Sequence, residues 1–132
     1  MISLDTNILV RYLTYDPEPL ALKARDVIKN ERCFVTRVAL LETFYVLDTL
    51  YKLDQPALAV ALRTILGLTT VTVEAQLACA QAVEWFEAGM DFADALLLAS
   101  SRGQDGVMTF DRDFSRVAAK LKAEPPITYI KA

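Results

Sequence analysis

Carboxylates are the side chains of this sequence on which acid–base or metal chemistry must rest. The chain contains no histidine, which excludes a histidine general base, a Ser-His-Asp triad and any zinc site that needs histidine. Its two cysteines cannot complete a thiolate zinc site. Chemistry at a metal would therefore use oxygen ligands and hard cations such as Mg²⁺ or Mn²⁺.

The first candidate is Asp5, which ends one short apolar run just before a second one begins after Thr6 and Asn7. Read as strand, turn and helix, this pattern places Asp5 at the carboxyl end of the first strand and Thr6 or Asn7 near a helix N-terminus. Ligands bind at that edge in open α/β sheets. The alternative is that Asp5 only caps the helix.

The second candidate is Glu42, within a helical segment that is apolar almost all round. At helical spacing its neighbours are apolar, so we expect Glu42 on an apolar face. An unpaired buried carboxylate is costly, which predicts a shifted pKa, a cationic partner or a metal. The alternatives are an exposed edge of the helix, or an ion pair with Arg37 or Arg11.

Asp91 and Asp94 lie three residues apart at the start of a strongly apolar segment. Both could be helix-start acids, with Asp91 as the N-cap and Asp94 in the first turn. Asp94 lies one turn inside a helix that its apolar sequence predicts to be buried. It is therefore the stronger functional candidate of the two.

Residues 109–114 repeat the order of strand, acid and helix seen at Asp5. Asp111 could again be a cap, and Asp113 could be a first-turn acid paired with Arg112 or Arg116. The recurrence of this order favours a functional role for the acids, because acids that follow several parallel strands can converge on one sheet edge. A divalent cation would offset the repulsion among carboxylates gathered there.

The elements that must position these residues alternate between short apolar strands and longer helices. After the first strand and helix, we expect strands at residues 33–36, 70–73, 106–110 and 127–130, and helices at residues 20–30, 37–51, 57–66, 75–87, 91–101 and 111–121. This alternation predicts an α/β fold, with a parallel sheet covered by helices on both faces.

Length and composition predict one domain over residues 1–132. Although 54% of the residues are hydrophobic, no run reaches the ~18 apolar residues of a membrane helix. The N-terminus does not resemble a secretory signal, so we expect a cytoplasmic protein, with Cys33 and Cys79 as buried free thiols. The net charge of −3 counts against a polyanionic substrate unless cations reverse the local charge.

Together these segments resemble the PIN-domain ribonucleases, and most closely the toxins of VapBC-type toxin–antitoxin pairs. The resemblance rests on Asp5-Thr6-Asn7, on Glu42, and on the segments at 91–96 and 109–114. It implies a three-layer α/β/α sandwich with a five-stranded parallel sheet. It also implies Mg²⁺- or Mn²⁺-dependent endonuclease activity on RNA, in which a metal-activated water hydrolyses the phosphodiester bond.

The resemblance also implies the roles of individual residues. The acidic quartet of the family falls on Asp5, Glu42, Asp94 and Asp111. Asp113 matches an additional acid that can join the metal ligands, whereas Asp91 is extra to the quartet. Asp91 and Asn7 are expected to support the site. Thr6 and Thr109 match positions whose hydroxyls support the site. The cations that could touch the RNA backbone are Arg11, Arg37, Lys52 and Arg112.

A surplus of large apolar side chains predicts a binding surface on the helix that carries Glu42. More large apolar side chains occur here than one helix face can bury, namely those of Phe44, Tyr45, Leu47, Tyr51 and Leu53. Leu13 and Tyr15 are further candidates. We expect a groove there for an amphipathic segment of the cognate antitoxin, and a homodimer formed through other helices. The rival hypothesis is a non-catalytic PIN-like scaffold that binds RNA or protein.

Overall fold

A computed structural model describes residues 1–131, in which seven helices alternate with five short strands. The elements are β1 (Ile2–Ser3), α1 (Thr6–Thr14), α2 (Glu18–Asn30), β2 (Cys33–Val35), α3 (Arg37–Thr49), α4 (Gln55–Gly67), β3 (Val71–Val73), α5 (Gln76–Glu87), α6 (Phe92–Ser100), β4 (Val107–Thr109), α7 (Arg112–Lys120) and β5 (Ile127–Tyr129). The predicted order of strands and helices is confirmed, with ends that differ by one or two residues. No helix in this part of the chain combines the length and the apolar character needed to cross a membrane.

The first compact unit, Met1–Gln76, contains a parallel three-stranded sheet in the order β1-β2-β3. Cys33 of the central strand pairs with Ile2 on one side and with Val71 on the other. Helices α1 to α4 belong to the same unit, and their apolar stripes form its core with the strands. The largest fully buried side chains of this core include Leu9, Leu40, Leu47, Leu62 and Ile65.

The second compact unit begins at Leu77 and contains a parallel two-stranded sheet of β4 and β5. Val107 pairs with Ile127, and the register continues to the end of both strands. Helices α5 and α6 supply most of the buried side chains, among them Cys79, Val83 and Phe92. Cys79, like Cys33 of the first unit, is buried, as predicted, and burial raises the pKa of Cys33.

The prediction of one five-stranded sheet is wrong for the described residues. The paired strands are all parallel, as expected, but they form one sheet of three strands and one of two. Alternation of apolar runs identifies strands without identifying their partners. No strand here exceeds three residues, so each one has few ladder hydrogen bonds and tertiary packing decides the pairing. Folding as a single domain over residues 1–132 stays a prediction.

Candidate functional site

In the second unit, Asp91 is the N-cap of α6. Its Oδ2 atom accepts a hydrogen bond from the backbone N–H of Asp94 at 3.0 Å, which satisfies one of the unpaired donors of the first turn. The helix-start interpretation of Asp91 is therefore confirmed. Asp94 lies in that first turn, half-buried.

The environment of Asp94 disfavours its negative charge. Partial burial, together with the nearby charges of Asp91 and Asp111, raises its pKa from 3.8 to about 6. Both effects disfavour the carboxylate relative to the neutral acid. A bound cation would remove the same penalty, so this group of three acids is the chemically distinctive feature of the second unit.

Asp111 is held at the start of α7 by two hydrogen bonds. Its Oδ1 atom accepts from the backbone N–H of Phe114 at 3.2 Å, and its own N–H donates to Oγ1 of Thr109 at 3.0 Å. Thr109 therefore orients the residue before the helix, while its support of a metal site stays a prediction. Asp113 instead lies on the surface, where its Oδ1 atom is 3.5 Å from Nη2 of Arg116.

In the first unit, Asp5 occupies the N-cap position of α1 without using its carboxylate as a cap. The backbone carbonyl of Asp5 accepts the first helical hydrogen bond, from Ile8 at 3.0 Å, but the side chain makes no capping bond. Its Oδ2 atom accepts a bond from Nδ2 of Asn7 at 3.3 Å. The capping alternative therefore does not account for this carboxylate, which is exposed. Thr6 is the first residue of α1.

Of the alternatives for Glu42, the structure shows the exposed position rather than the buried one. Glu42 is exposed, as are Val38, one turn before it, and Tyr45, three residues after it, with 67% and 44% of their surfaces accessible. The exposed face of α3 thus carries large apolar residues, so the apolar sequence could not reveal which face is buried. The exposed-edge alternative applies, and Arg37 pairs elsewhere, with Glu74 at 3.6 Å.

Glu74 is a residue that the sequence reasoning missed. Its Oε1 atom accepts a hydrogen bond from the backbone N–H of Arg37 at 2.8 Å, and this bond is the main cause of its lowered pKa. Glu74 thereby anchors the first turn of α3, the helix that carries Glu42. The signal was present, because Glu74 directly follows β3 just as Asp111 comes shortly after β4.

A cavity of about 520 Å³ lies in the first unit. Leu47 and Tyr51, two of the four residues predicted for a partner groove, line it. The other two do not: Phe44 is buried in the core and contacts the ring of Tyr45, with centroids 5.8 Å apart. The full lining is Tyr12, Leu13, Thr14, Arg25, Leu47, Tyr51, Leu53, Ala57, Val60, Ala61 and Thr64.

The acids predicted to bind metal belong to both units, Asp5 and Glu42 to the first and Asp94, Asp111 and Asp113 to the second. Across residues 1–131, no three or more acids or cysteines are grouped so that they could hold a metal ion. The donor chemistry nevertheless suits a hard cation, because Asp91, Asp94 and Asp111 offer oxygen atoms and interact through their charges. Convergence of Asp5 and Glu42 with the acids of the second unit stays a prediction.

Comparison with known proteins places the chain in one family. The family model described as PIN domain matches residues 2–120, which is most of the sequence. No curated protein and no solved structure matches the chain.

Proposed function

The chain belongs to the PIN domain family, and on this basis we propose that it is a Mg²⁺- or Mn²⁺-dependent endoribonuclease. PIN domains are commonly metal-dependent nucleases. The observation that carries the proposal is the environment of Asp94, a half-buried carboxylate whose pKa is raised to about 6 by burial and by Asp91 and Asp111. The resemblance of residues 91–96 and 109–114 to the family's motifs supports the proposal that Asp94 and Asp111 bind the metal.

The residues of the proposed site divide into ligands and supports. The acids of the family pattern, Asp5, Glu42, Asp94 and Asp111, would hold the cation, with Asp113 as a further ligand. When bound, a divalent cation lowers the pKa of water and stabilises charge on the phosphate. The protein itself would preorganise these carboxylates before RNA binds.

Three local hydrogen bonds perform this positioning. Asn7 donates to the carboxylate of Asp5, Asp91 caps the turn that contains Asp94, and the hydroxyl of Thr109 fixes the backbone of Asp111. Each bond restricts a rotamer or a backbone angle of an acid, so less entropy is lost when the acids bind a ligand.

We further propose that the enzyme is a VapC-type toxin of a type II toxin–antitoxin pair, acting in the cytoplasm. The cavity of about 520 Å³ supports this proposal, since Leu13, Leu47 and Tyr51 give it the apolar lining that suits an amphipathic helix. An antitoxin segment would fill it, and a homodimer would form through other helices.

Cleavage of a fluorescent RNA decides between a nuclease and the rival scaffold. We expect cleavage with Mg²⁺ or Mn²⁺ and none with EDTA, and loss of cleavage in Asp111→Ala. The control is Asp105→Ala, which removes an equal charge from an exposed loop of the same unit. RNA binding without metal-dependent cleavage would instead favour the scaffold.

A further inference from the structure

Helix α7 carries a row of cations along its exposed side. Arg112, Arg116 and Lys120 are all exposed and follow one another at intervals of four residues, which places them on one face of the helix. The opposite side packs inward through Phe114 and Ala118. We call Arg112, Arg116 and Lys120 the α7 basic stripe. It starts directly after Asp111 and extends about 12 Å along the helix.

The first cation of the stripe is held in place by an aromatic contact. The guanidinium carbon of Arg112 lies 5.5 Å from the centre of the Tyr129 ring, a distance typical of cation–π attraction. Such a contact limits the rotamers of Arg112, so its charge is directed before a ligand binds.

An exposed aromatic ring lies on the other side of Asp111. Phe110 has 70% of its surface accessible, although its neighbours Thr109 and Asp111 are joined by a hydrogen bond that orders the backbone. Met108, two residues earlier in β4, is 75% accessible. Asp111 is therefore preceded in the sequence by the exposed ring of Phe110 and followed by the cations of the α7 basic stripe.

We propose that these flanking groups bind single-stranded RNA, with a base stacked on Phe110 and phosphates on the α7 basic stripe. This inference rests on the proposed nuclease function and names the path of its substrate past Asp111. Stacking platforms combined with cations are the general means of holding single strands. The three cations of the stripe outnumber the two acids beside them, Asp111 and Asp113, which reduces the difficulty posed by the net charge of −3.

Charge argues against a second copy of this chain as the occupant. In a two-fold symmetric contact centred on the stripe, the stripe would face the like-charged stripe of the partner. An RNA backbone offers the opposite charge at regular intervals, both to Arg112 and Lys120 and to Arg116, whose ion pair with Asp113 at 3.5 Å is exposed and therefore weak.

The stripe is tested by binding of a fluorescein-labelled oligouridine, measured by anisotropy in EDTA so that no cleavage occurs. Arg116→Gln combined with Lys120→Gln should weaken binding. It should also reduce the slope of log affinity against log salt by about 0.7 for each lost phosphate contact. Lys23→Gln combined with Lys29→Gln on α2 is the control, because it changes the net charge equally on another exposed helix.

The ring is tested in the same assay by Phe110→Ala, with Met108→Ala as the control for an equally exposed side chain without a ring. We expect Phe110→Ala to weaken binding at least about fivefold, because stacking of a base on an aromatic ring is lost. Phe110→Tyr should retain the affinity, and Met108→Ala should resemble the wild type.

The possible outcomes separate this inference from the proposed function. Equal effects of the stripe and control variants, or an intact affinity in Phe110→Ala, would overturn the RNA path while leaving metal-dependent cleavage standing. Absence of RNA binding by the wild type in EDTA would overturn the RNA path, whose groups need no metal, whereas the proposed nuclease is judged by the separate cleavage assay with Mg²⁺ or Mn²⁺. A change of oligomeric state in the stripe variant, seen by size-exclusion chromatography with unchanged RNA affinity, would identify the surface as a contact between copies.

Discussion

At the scale of single residues, Asp94 combines an unfavourable environment with a supported position. It is half-buried near two other carboxylates, Asp91 and Asp111, and yet its backbone N–H is capped by one of them. Asp91 thus stabilises the helix start while its charge opposes ionisation of Asp94. Structural and chemical roles can therefore be separated by changing one residue of the pair at a time.

The first prediction concerns that pair. Asp94→Asn should leave the protein folded, and should raise the apo melting temperature because one repulsive charge is gone. Its Mn²⁺-dependent cleavage should fall by roughly 10–100-fold or more, since loss of even indirect metal partners costs that much. Asp91→Ala should destabilise by about 0.5–2 kcal/mol and keep most of its activity. The reverse pattern, with Asp91→Ala inactive and Asp94→Asn active, would exchange the two roles.

The second prediction concerns pH. The pKa of Asp94 is about 6 in the folded state against an ordinary 3.8, so between these values the folded state retains a proton that the unfolded chain releases. Stability therefore falls as pH rises through this window, and the loss is complete above the folded pKa. In EDTA, melting temperatures should decline more steeply across the window for the wild type than for Asp94→Asn. The control Asp105→Asn should follow the wild type, and parallel curves for all three would contradict the shift.

At the scale of elements, the contact between the segments leading into β4 and β5 leaves no space for a side chain at Gly106. A Cβ atom there would lie 2.9 Å from the carbonyl oxygen of Pro126. That oxygen accepts the hydrogen bond from Val107 that begins the pairing of the two strands, at 3.0 Å. A side chain at Gly106 would therefore disturb the ladder.

Gly106→Ala is thus predicted to destabilise the protein by about 1–3 kcal/mol, the usual cost of overpacking. Gly67→Ala is the matched control, since nothing lies within 4 Å of a Cβ atom at that helix end. It should be neutral or slightly stabilising, because alanine restricts the unfolded chain more than glycine does. Chemical denaturation measures both variants, and equal midpoints would refute the steric argument.

The cavity of the first unit is formed by residues of α1, α2, α3 and α4 and of the loop before α4, and its lining combines apolar and polar side chains. The hydroxyl of Tyr51 donates to Oδ2 of Asp16 at 3.1 Å, and Arg25 lies 5.0 Å over the ring of Tyr15. Such a mixture of apolar and polar groups is usual at protein-binding surfaces.

Tyr51→Glu is predicted to abolish tight binding of the cognate antitoxin, because it places a charge among Leu47 and Leu53. Tyr45→Glu serves as the control, since Tyr45 lies on the same helix but is exposed outside the cavity. Calorimetry with the purified antitoxin should show a large loss only for Tyr51→Glu. Intact affinity in that variant would place the antitoxin elsewhere.

At the scale of the whole molecule, the last prediction is that divalent cations stabilise the protein. A cation that binds only the folded state at about 100 times its dissociation constant adds about 2.7 kcal/mol, which corresponds to several degrees of melting temperature for a chain of this size. Mn²⁺ should raise the melting temperature of the wild type, and much less that of Asp94→Asn. An unchanged melting curve of the wild type in millimolar Mg²⁺ and Mn²⁺ would count against the metal site.

The sequence by itself determined the order of the elements and the local roles of several acids. Helix starts depend on interactions between residues three or four apart, such as Asp91 with Asp94 and Asp111 with Phe114. Apolar periodicity is equally local, so the helices and strands fell within two residues of their predicted ends. The absence of histidine restricted the chemistry to carboxylates without any reference to the fold.

Tertiary structure alone decided which strands pair, which face of α3 is buried and which acid anchors that helix. These depend on contacts between distant residues, such as Glu74 with Arg37, 37 positions apart. An apolar helix such as α3 gives no preferred direction for burial, so Glu42 could be assigned to the exposed side only from the packing around it. Strands of three residues contain too little pattern to specify their partners, and the two separate sheets follow from how the chain packs.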